Sequence, residues 1–409
     1  MGNGSAATGR PSLAGRLTAR SVHTFVGMGF SLILLFVALT GTLSVYSTEI
    51  DWLTRPAMRA APLAEEKRPL GESFDAMRAA LPDWRPVALL RYPSRRYADQ
   101  ITAVTPAGQE RLVFVDPYRG QVQGTGSAQT VKTVLREMHR ALSSRRTLVK
   151  IAVAAVSLPL AVAVIAGLFM YRRFWTGFFR KPRLSGSRRA MLSDLHRLAG
   201  VWLLPFLVLT AATGLVFLVE MLGVAPQMRE APRLSERAEA LPPGFDGAAL
   251  DRAVAAAGAA LPGFALREVR LPARTDAALA LRGADGTLVV RPDASAVYLD
   301  PLSLTPRDVQ SAATMGPHLR LFEAVRVLHY GTVGGQATRL LWLIFGLTLV
   351  GLGVLGAMIY GERMLKEARV RGLPQRSRLG HYWAGMGWGR WLGLAVLVFA
   401  LAMTLRRLM

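Results

Sequence analysis

Four long apolar runs constrain this chain more than any other feature. They cover about Thr24–Thr48, Leu148–Tyr171, Leu198–Leu222 and Leu340–Tyr360. A helix rises about 1.5 Å per residue and a bilayer core is about 30 Å thick, so each run is long enough to cross. A fifth run, about Trp391–Leu405, is marginal: it either spans or lies partly in the interface. The expected fold class is an α-helical membrane bundle of four main spans plus this marginal fifth. Only Pro159 and Pro205 are expected to break the main spans.

Charge gives the runs a direction. The chain carries 50 Lys plus Arg against 27 Asp plus Glu, a net +23. The excess flanks the spans. Arg172–Arg189 holds seven basic residues and no acid, the N-terminal arm adds Arg10, Arg16 and Arg20, and residues 362–390 add seven more. The positive-inside rule puts these three segments in the cytoplasm. Membrane topology thus accounts for the charge, and nucleic acid is not expected as a partner. Cysteine is absent, which excludes Cys zinc sites, iron–sulfur ligation, c-type haem attachment and disulfides. The first run has a basic lead and no clear small-residue cleavage site, so it reads as a retained anchor rather than a cleaved signal.

The expected order is a cytoplasmic arm at 1–20, a membrane helix at 21–48, and an external unit with its lead helix at 49–147. A second membrane helix at 148–171, a basic cytoplasmic loop at 172–197 and a third helix at 198–222 follow. Residues 223–337 form a second external unit with its lead helix. A fourth helix at 338–360, a cytoplasmic segment at 361–390 and the marginal fifth helix at 391–409 complete the chain.

The two external segments resemble each other. One has an Ala-containing helix from Phe74 that stops at Leu81-Pro82, a strand at Val87–Tyr92, and Arg111–Val115 leading into Asp116-Pro117. The other has an Ala-rich helix from Ala249 that stops at Leu261-Pro262, a strand at Leu266–Leu271, and Ala296–Leu299 leading into Asp300-Pro301. Each reads as a small α+β unit. The helices repeat as well. His23 leads Thr40-Gly41 and His196 leads Thr213-Gly214 at the same spacing, each with a glycine four residues on, Gly27 and Gly200. Met138-His139 and Leu328-His329 precede the inward-going helices, which end in Gly167 and Tyr171, and in Gly356 and Tyr360. The whole reads as a tandem duplication.

Topology puts His23 and His196 at the cytoplasmic face and His139 and His329 at the outer face. A histidine at a membrane helix is costly unless partnered. Two imidazoles on opposite sides of a planar macrocycle make a b-type haem site that needs no cysteine. Zinc would want three or four protein ligands. The expected cofactors are therefore two b-type haems, one on His23 and His196 and one on His139 and His329. Gly27 and Gly200 either let a bulky ring approach the backbone or allow close helix packing. Thr40-Gly41 and Thr213-Gly214 read as packing residues that could also touch the outer haem. His318 is an alternative outer-face ligand or a substrate-side residue. His381, beside Tyr382 and Trp383, reads as part of an interfacial aromatic belt.

On these helices, on the Met138-His139 and Leu328-His329 leads, and on the Val115-Asp116-Pro117-Tyr-Arg-Gly120 turn, the chain resembles the PepSY-associated transmembrane family over about residues 15–365. The second turn departs from the pattern, because Leu299-Asp300-Pro301-Leu-Ser-Leu304 lacks the glycine. The resemblance implies two external PepSY-like units. It further implies an inner-membrane reductase that binds two b-type haems and reduces ferric siderophores in the periplasm of a bacterium. The expected partners are membrane lipid, a quinol or cytosolic electron donor, and a ferric siderophore. The rival readings are a permease, which would show broken helices and buried acids, and a non-catalytic scaffold whose units bind an external partner.

Overall fold

The computed structural model describes residues 18–62, 66–171, 173–372 and 377–408. Most of the expected cytoplasmic arm, with Arg10 and Arg16, lies outside them, as do Arg172 and Arg376. The chain divides into two compact units. Among the described residues a helical bundle is formed by 18–43, 136–223 and 341–408, and a sheet unit by 44–135 and 224–340.

In the bundle, the first span is two helices, α1 (Ala19–Gly29) and α2 (Ser31–Ser44), bent by 66°. The bend has local causes. Ser31 Oγ donates to Met28 O (2.9 Å) and intrudes on the helical ladder, and the flanking residue is Gly29. The next span, Thr147–Met170, is jointed between α6 (Thr147–Ala154) and α7 (Ser157–Met170). Ser157 Oγ donates to Ala154 O (2.7 Å) there, and Pro159 removes a donor from the first turn of α7. Pro205 behaves differently from expectation: α8 (Arg188–Met221) runs through it without interruption.

Helix α8 also starts earlier than its apolar run. Ser187 caps it by accepting from Ala190 N (3.3 Å), so His196 lies inside the helix rather than in the loop before it. Hydropathy marks the length that faces lipid, whereas a cap sets where helical hydrogen bonding starts. Helix α11 (Gly335–Val370) likewise continues beyond Tyr360. The marginal fifth run is a full helix, α13 (Gly389–Leu408), preceded by α12 (Arg378–Gly385). By length and composition Thr147–Met170, α8, α11 and α13 each qualify as spans, and the bent α1–α2 pair makes a fifth. Leu203, Phe206 and Leu207 of α8 form the bundle's buried core, with Trp342 edge-on to Phe206 at 5.7 Å.

The sheet unit holds eight antiparallel strands in the order β4-β3-β2-β1-β5-β6-β7-β8. They are β1 (Arg85–Leu90), β2 (Asp99–Val104), β3 (Glu110–Asp116), β4 (Gln121–Ser127), β5 (Ala265–Arg270), β6 (Leu279–Ala284), β7 (Ser295–Leu299) and β8 (Pro306–Gln310). The two expected α+β units therefore share one sheet, joined where β1 pairs with β5 through Ala88–Arg270, Leu89–Val269 and Leu90–Glu268. Helices α4 (Leu70–Ala80) and α9 (Gly247–Ala260) cover one face over a core that includes Phe74, Met77, Leu89, Leu250, Val269 and Leu281. Helix α3 (Ser47–Thr54) leads in from α2. Its Asp51 caps α5 (Val131–Ala141) by accepting from Val131 N and Lys132 N. The last helix of the unit is α10 (Pro317–Tyr330), which a left-handed Gly331 terminates.

Candidate functional site

The site begins with an imidazole on each of two helices. His23 lies on α1 and His196 on α8, and their ring centroids are 6.3 Å apart with ring planes at 82°. The structure thus brings together the first histidine pair expected from the repeat.

Each ring is held in the same way. His23 Nδ1 is 2.9 Å from Ala163 O on α7, and His196 Nδ1 is 3.1 Å from Leu352 O on α11. A carbonyl oxygen only accepts, so in both rings Nδ1 carries the proton and donates. That tautomer leaves Nε2 with its lone pair, which is the metal-binding form of histidine. A glycine lies one turn beyond each anchoring carbonyl. A Cβ built on Gly167 would be 3.8 Å from His23 Cε1, and one on Gly356 would be 3.4 Å from His196 Cε1. The two seats match in donor, acceptor and glycine.

Two nitrogens each about 2 Å from one metal ion place their ring centroids about 6 Å apart, which is the spacing seen here. Among the described residues, no group of three or more His, Asp or Glu could hold a metal. A metal held by this pair therefore needs its remaining donors from elsewhere, and a planar tetradentate macrocycle supplies four. Two glycines leave the helix surface beside the histidines open. A Cβ built on Gly27 meets nothing within 4 Å, and one on Gly200 meets only Leu352 Cδ1 at 4.0 Å. Each of these glycines lies one turn from its histidine, on the same helix face. Among the described residues Gly27 packs against no neighbouring helix, so of its two expected roles the open approach to the backbone fits this geometry. The donor set suits a haem.

His139 sits in the last turn of α5 and belongs to the bundle. Its Nδ1 donates to Val37 O of α2 at 2.9 Å, the same arrangement a third time. Gly41 seats this ring: a Cβ there would lie 2.6 Å from His139 Cε1. The Thr40-Gly41 motif therefore has a histidine to accommodate, whereas Gly214 lies against Ser157 Cβ, at 2.8 Å from a built Cβ. His329 is half-buried in the last turn of α10 in the sheet unit, with its ring 6.1 Å from that of Tyr330. His318 is exposed at the start of α10. His381 lies on α12, with its Nε2 buried and without a hydrogen-bond partner among the described residues.

Sequence reasoning found the histidines and missed what holds them. Gly167 and Gly356 were visible as a recurrence, but a role for them required the helix pairing. The carbonyls of Ala163 and Leu352 carry no residue-type signal at all. Beside the site, Asp194 is buried and gathers Arg183 (2.7 Å) and Arg197 (2.6 Å), which ties the basic loop to α8.

These features define a multi-pass membrane protein with a paired-histidine site in its helical bundle. The chain belongs to the family described as the PepSY-associated TM region, whose profile matches residues 20–363. It is also similar to the uncharacterized protein PA4219 of Pseudomonas aeruginosa. The two are 27% identical over 279 residues, covering 56% of this chain and 64% of that one, a little under two thirds of the relative's length.

Proposed function

We propose that this chain is a haem b-containing oxidoreductase of the bacterial inner membrane. It passes electrons from a quinol or cytosolic donor across the bilayer to a periplasmic ferric complex, with a ferric siderophore as the substrate class the family resemblance implies. The observation that carries this reading is the His23–His196 pair, with both Nδ1 protons committed to carbonyls and the rings at the spacing of two imidazoles that share one metal ion.

A haem bound there would supply one-electron chemistry within the membrane. The chain's own residues do the rest. The carbonyls of Ala163 and Leu352 orient the two imidazoles and raise their basicity as ligands. Gly167 and Gly356 keep the neighbouring helices from crowding the rings. The Leu203–Phe206–Leu207 core excludes water from the bundle beyond them. A second haem, expected on His139 and His329, rests on the sequence repeat and on the matching Nδ1 anchor of His139. A tandem duplication would account for the matched seats. The basic ends of the helices support an orientation with His23 toward the cytoplasm and the sheet unit outside.

The test is the absorbance of the purified protein, oxidised and reduced, with haem content by extraction. Wild type should show a Soret band, and His196→Ala should lose the haem held by this pair. Reduced protein should be reoxidised by ferric siderophore. A colourless wild type would reject the reading and leave the scaffold in its place.

A further inference from the structure

A groove of about 510 Å³ opens between α1, the end of the membrane portion of α11, and the elbow that joins α12 to α13, on the face of α1 away from His23. Its volume is that of a small-molecule site, about 300–1,000 Å³. Thr24, the neighbour of His23 in sequence, forms part of its wall. Tyr360, one turn beyond the glycine that lies against His196, forms another part. The groove thus adjoins α1, which carries His23, and α11, whose Leu352 carbonyl anchors His196.

Its lining is of two kinds. Phe25, Met28 and Trp388 are apolar, while Arg20, Tyr360 and Arg363 bear hydrogen-bonding groups. The walls are fixed by close packing. A Cβ on Gly389 would lie 1.9 Å from Gly29 O, so the start of α13 touches the backbone of α1 there. Trp388 is clasped by Phe30 at 5.4 Å and Phe25 at 6.5 Å between ring centroids. Tyr360 packs flat against Gly385, where a Cβ would clash with its ring. The elbow that leads into α13 therefore builds one side of this groove.

We propose that this groove binds a quinol and is where electrons enter the protein. The inference rests on the haem reading above and names its donor. A quinol head presents a flat ring with a hydroxyl at each end and trails an apolar tail toward lipid. Phe25 and Trp388 suit the ring, and the tyrosine and guanidinium groups suit the oxygens. On oxidation both O–H bonds break and quinone leaves. A haem held at His23 and His196 would be the acceptor of the quinol's two electrons, taken one at a time. Two protons go to water at the basic end, since no carboxylate or histidine among the described residues lines the groove. An anionic lipid headgroup fits less well. Arg363 already pairs with Glu367 (2.9 Å), which weakens its pull on a phosphate.

The test uses the full-length protein in neutral detergent with an azido-ubiquinone photolabel and decylubiquinol. Label should map to peptides containing residues 18–29 and 385–388, and excess decylubiquinone should compete it away. Thr24→Trp, which fills the groove, should cut both labelling and the rate of reduction by decylubiquinol about tenfold or more. It should leave haem content and the dithionite-reduced spectrum unchanged, and Thr24→Ser should retain both activities. Haem-loaded protein that is neither labelled nor reduced would overturn the proposal. So would label displaced by anionic phospholipid but not by decylubiquinone, which would make the groove a lipid site. If the protein carries no haem, the functional reading falls, and labelling alone then decides whether the groove binds quinone.

Discussion

The two halves of the eight-stranded sheet have the same backbone plan and different polarity at one point. Register breaks between Pro86 and Ala88 in one half and between Leu266 and Glu268 in the other. It breaks again between Phe114 and Val115, and between Tyr298 and Leu299. Across the seam, Arg91 N donates to Arg267 O and Leu271 N donates to Val87 O, both at 2.9 Å. Yet Arg91 pairs in bidentate fashion with buried Asp99, which also accepts from Ser73 Oγ (2.8 Å). The matching positions in the other half are Leu271, Leu279 and Ala249, all buried and apolar. One backbone thus tolerates either a satisfied polar triad or an apolar one. The lesson is that a buried ion pair is costly to break but not costly to replace as a whole.

That contrast can be tested from its largest effect downward, using hydrogen exchange of the β1, β2, β5 and β6 amides in the full-length protein. Asp99→Leu alone leaves the Arg91 guanidinium and the Ser73 hydroxyl without their acceptor, and should destabilise the sheet by about 4 kcal/mol. Gly71→Ala and Gly247→Ala should each cost about 3 kcal/mol and should cost alike, since overpacking here meets backbone that cannot yield. A Cβ on either glycine would lie within 2.1–2.3 Å of the other's carbonyl oxygen. Unequal losses would show that the two halves are not mechanically equivalent. The triple change Ser73→Ala, Arg91→Leu, Asp99→Leu copies the other half and should fall within about 1 kcal/mol of wild type. A loss as large as that of Asp99→Leu would refute the interchange.

The smallest effect concerns pH. Gly71 N donates to Asp251 (2.8 Å) and Gly247 N donates to Asp75 (2.7 Å), a reciprocal pair across α4 and α9. Burial pushes the Asp251 carboxyl above its usual value, and the Gly71 bond and Arg91 offset this only in part. A carboxyl with a raised folded pKa holds its proton more tightly when folded. Its penalty is therefore fully present above that folded value, and fades as pH falls toward the ordinary carboxylate range. Asp251→Asn keeps an acceptor for Gly71 and removes the charge. Its melting temperature should exceed wild type slightly at pH 7, and the gap should close near pH 4. A gap that widens on acidification would reverse the assignment.

The sequence made the spans, the α+β units and the turns legible because each depends on local periodicity or turn chemistry. Asp116 accepts from Tyr118 N and Arg119 N, and Asp300 from Leu302 N and Ser303 N, as Asp-Pro turns should. The missing glycine of the second turn was legible as a departure, but not its outcome. Leu304 adopts φ 56°, close to the 66° of Gly120, so the turn keeps its shape and a leucine bears the left-handed strain. Joining of the units through β1 and β5 could not be read, since nothing local distinguishes a strand edge that pairs from one that faces solvent. The histidine pair was legible only because its two members recur in register. Its orientation was not, because the anchoring groups are backbone carbonyls.

The seam between β1 and β5 has one more implication. A fragment ending before Gly247 would be left with a bare strand margin on β1 and an uncovered flank on α4, both ready to bind. Such a fragment is expected to associate with a second copy of itself through the surface that the intact molecule keeps satisfied internally. One polypeptide here encloses what would otherwise be the contact of a homodimer.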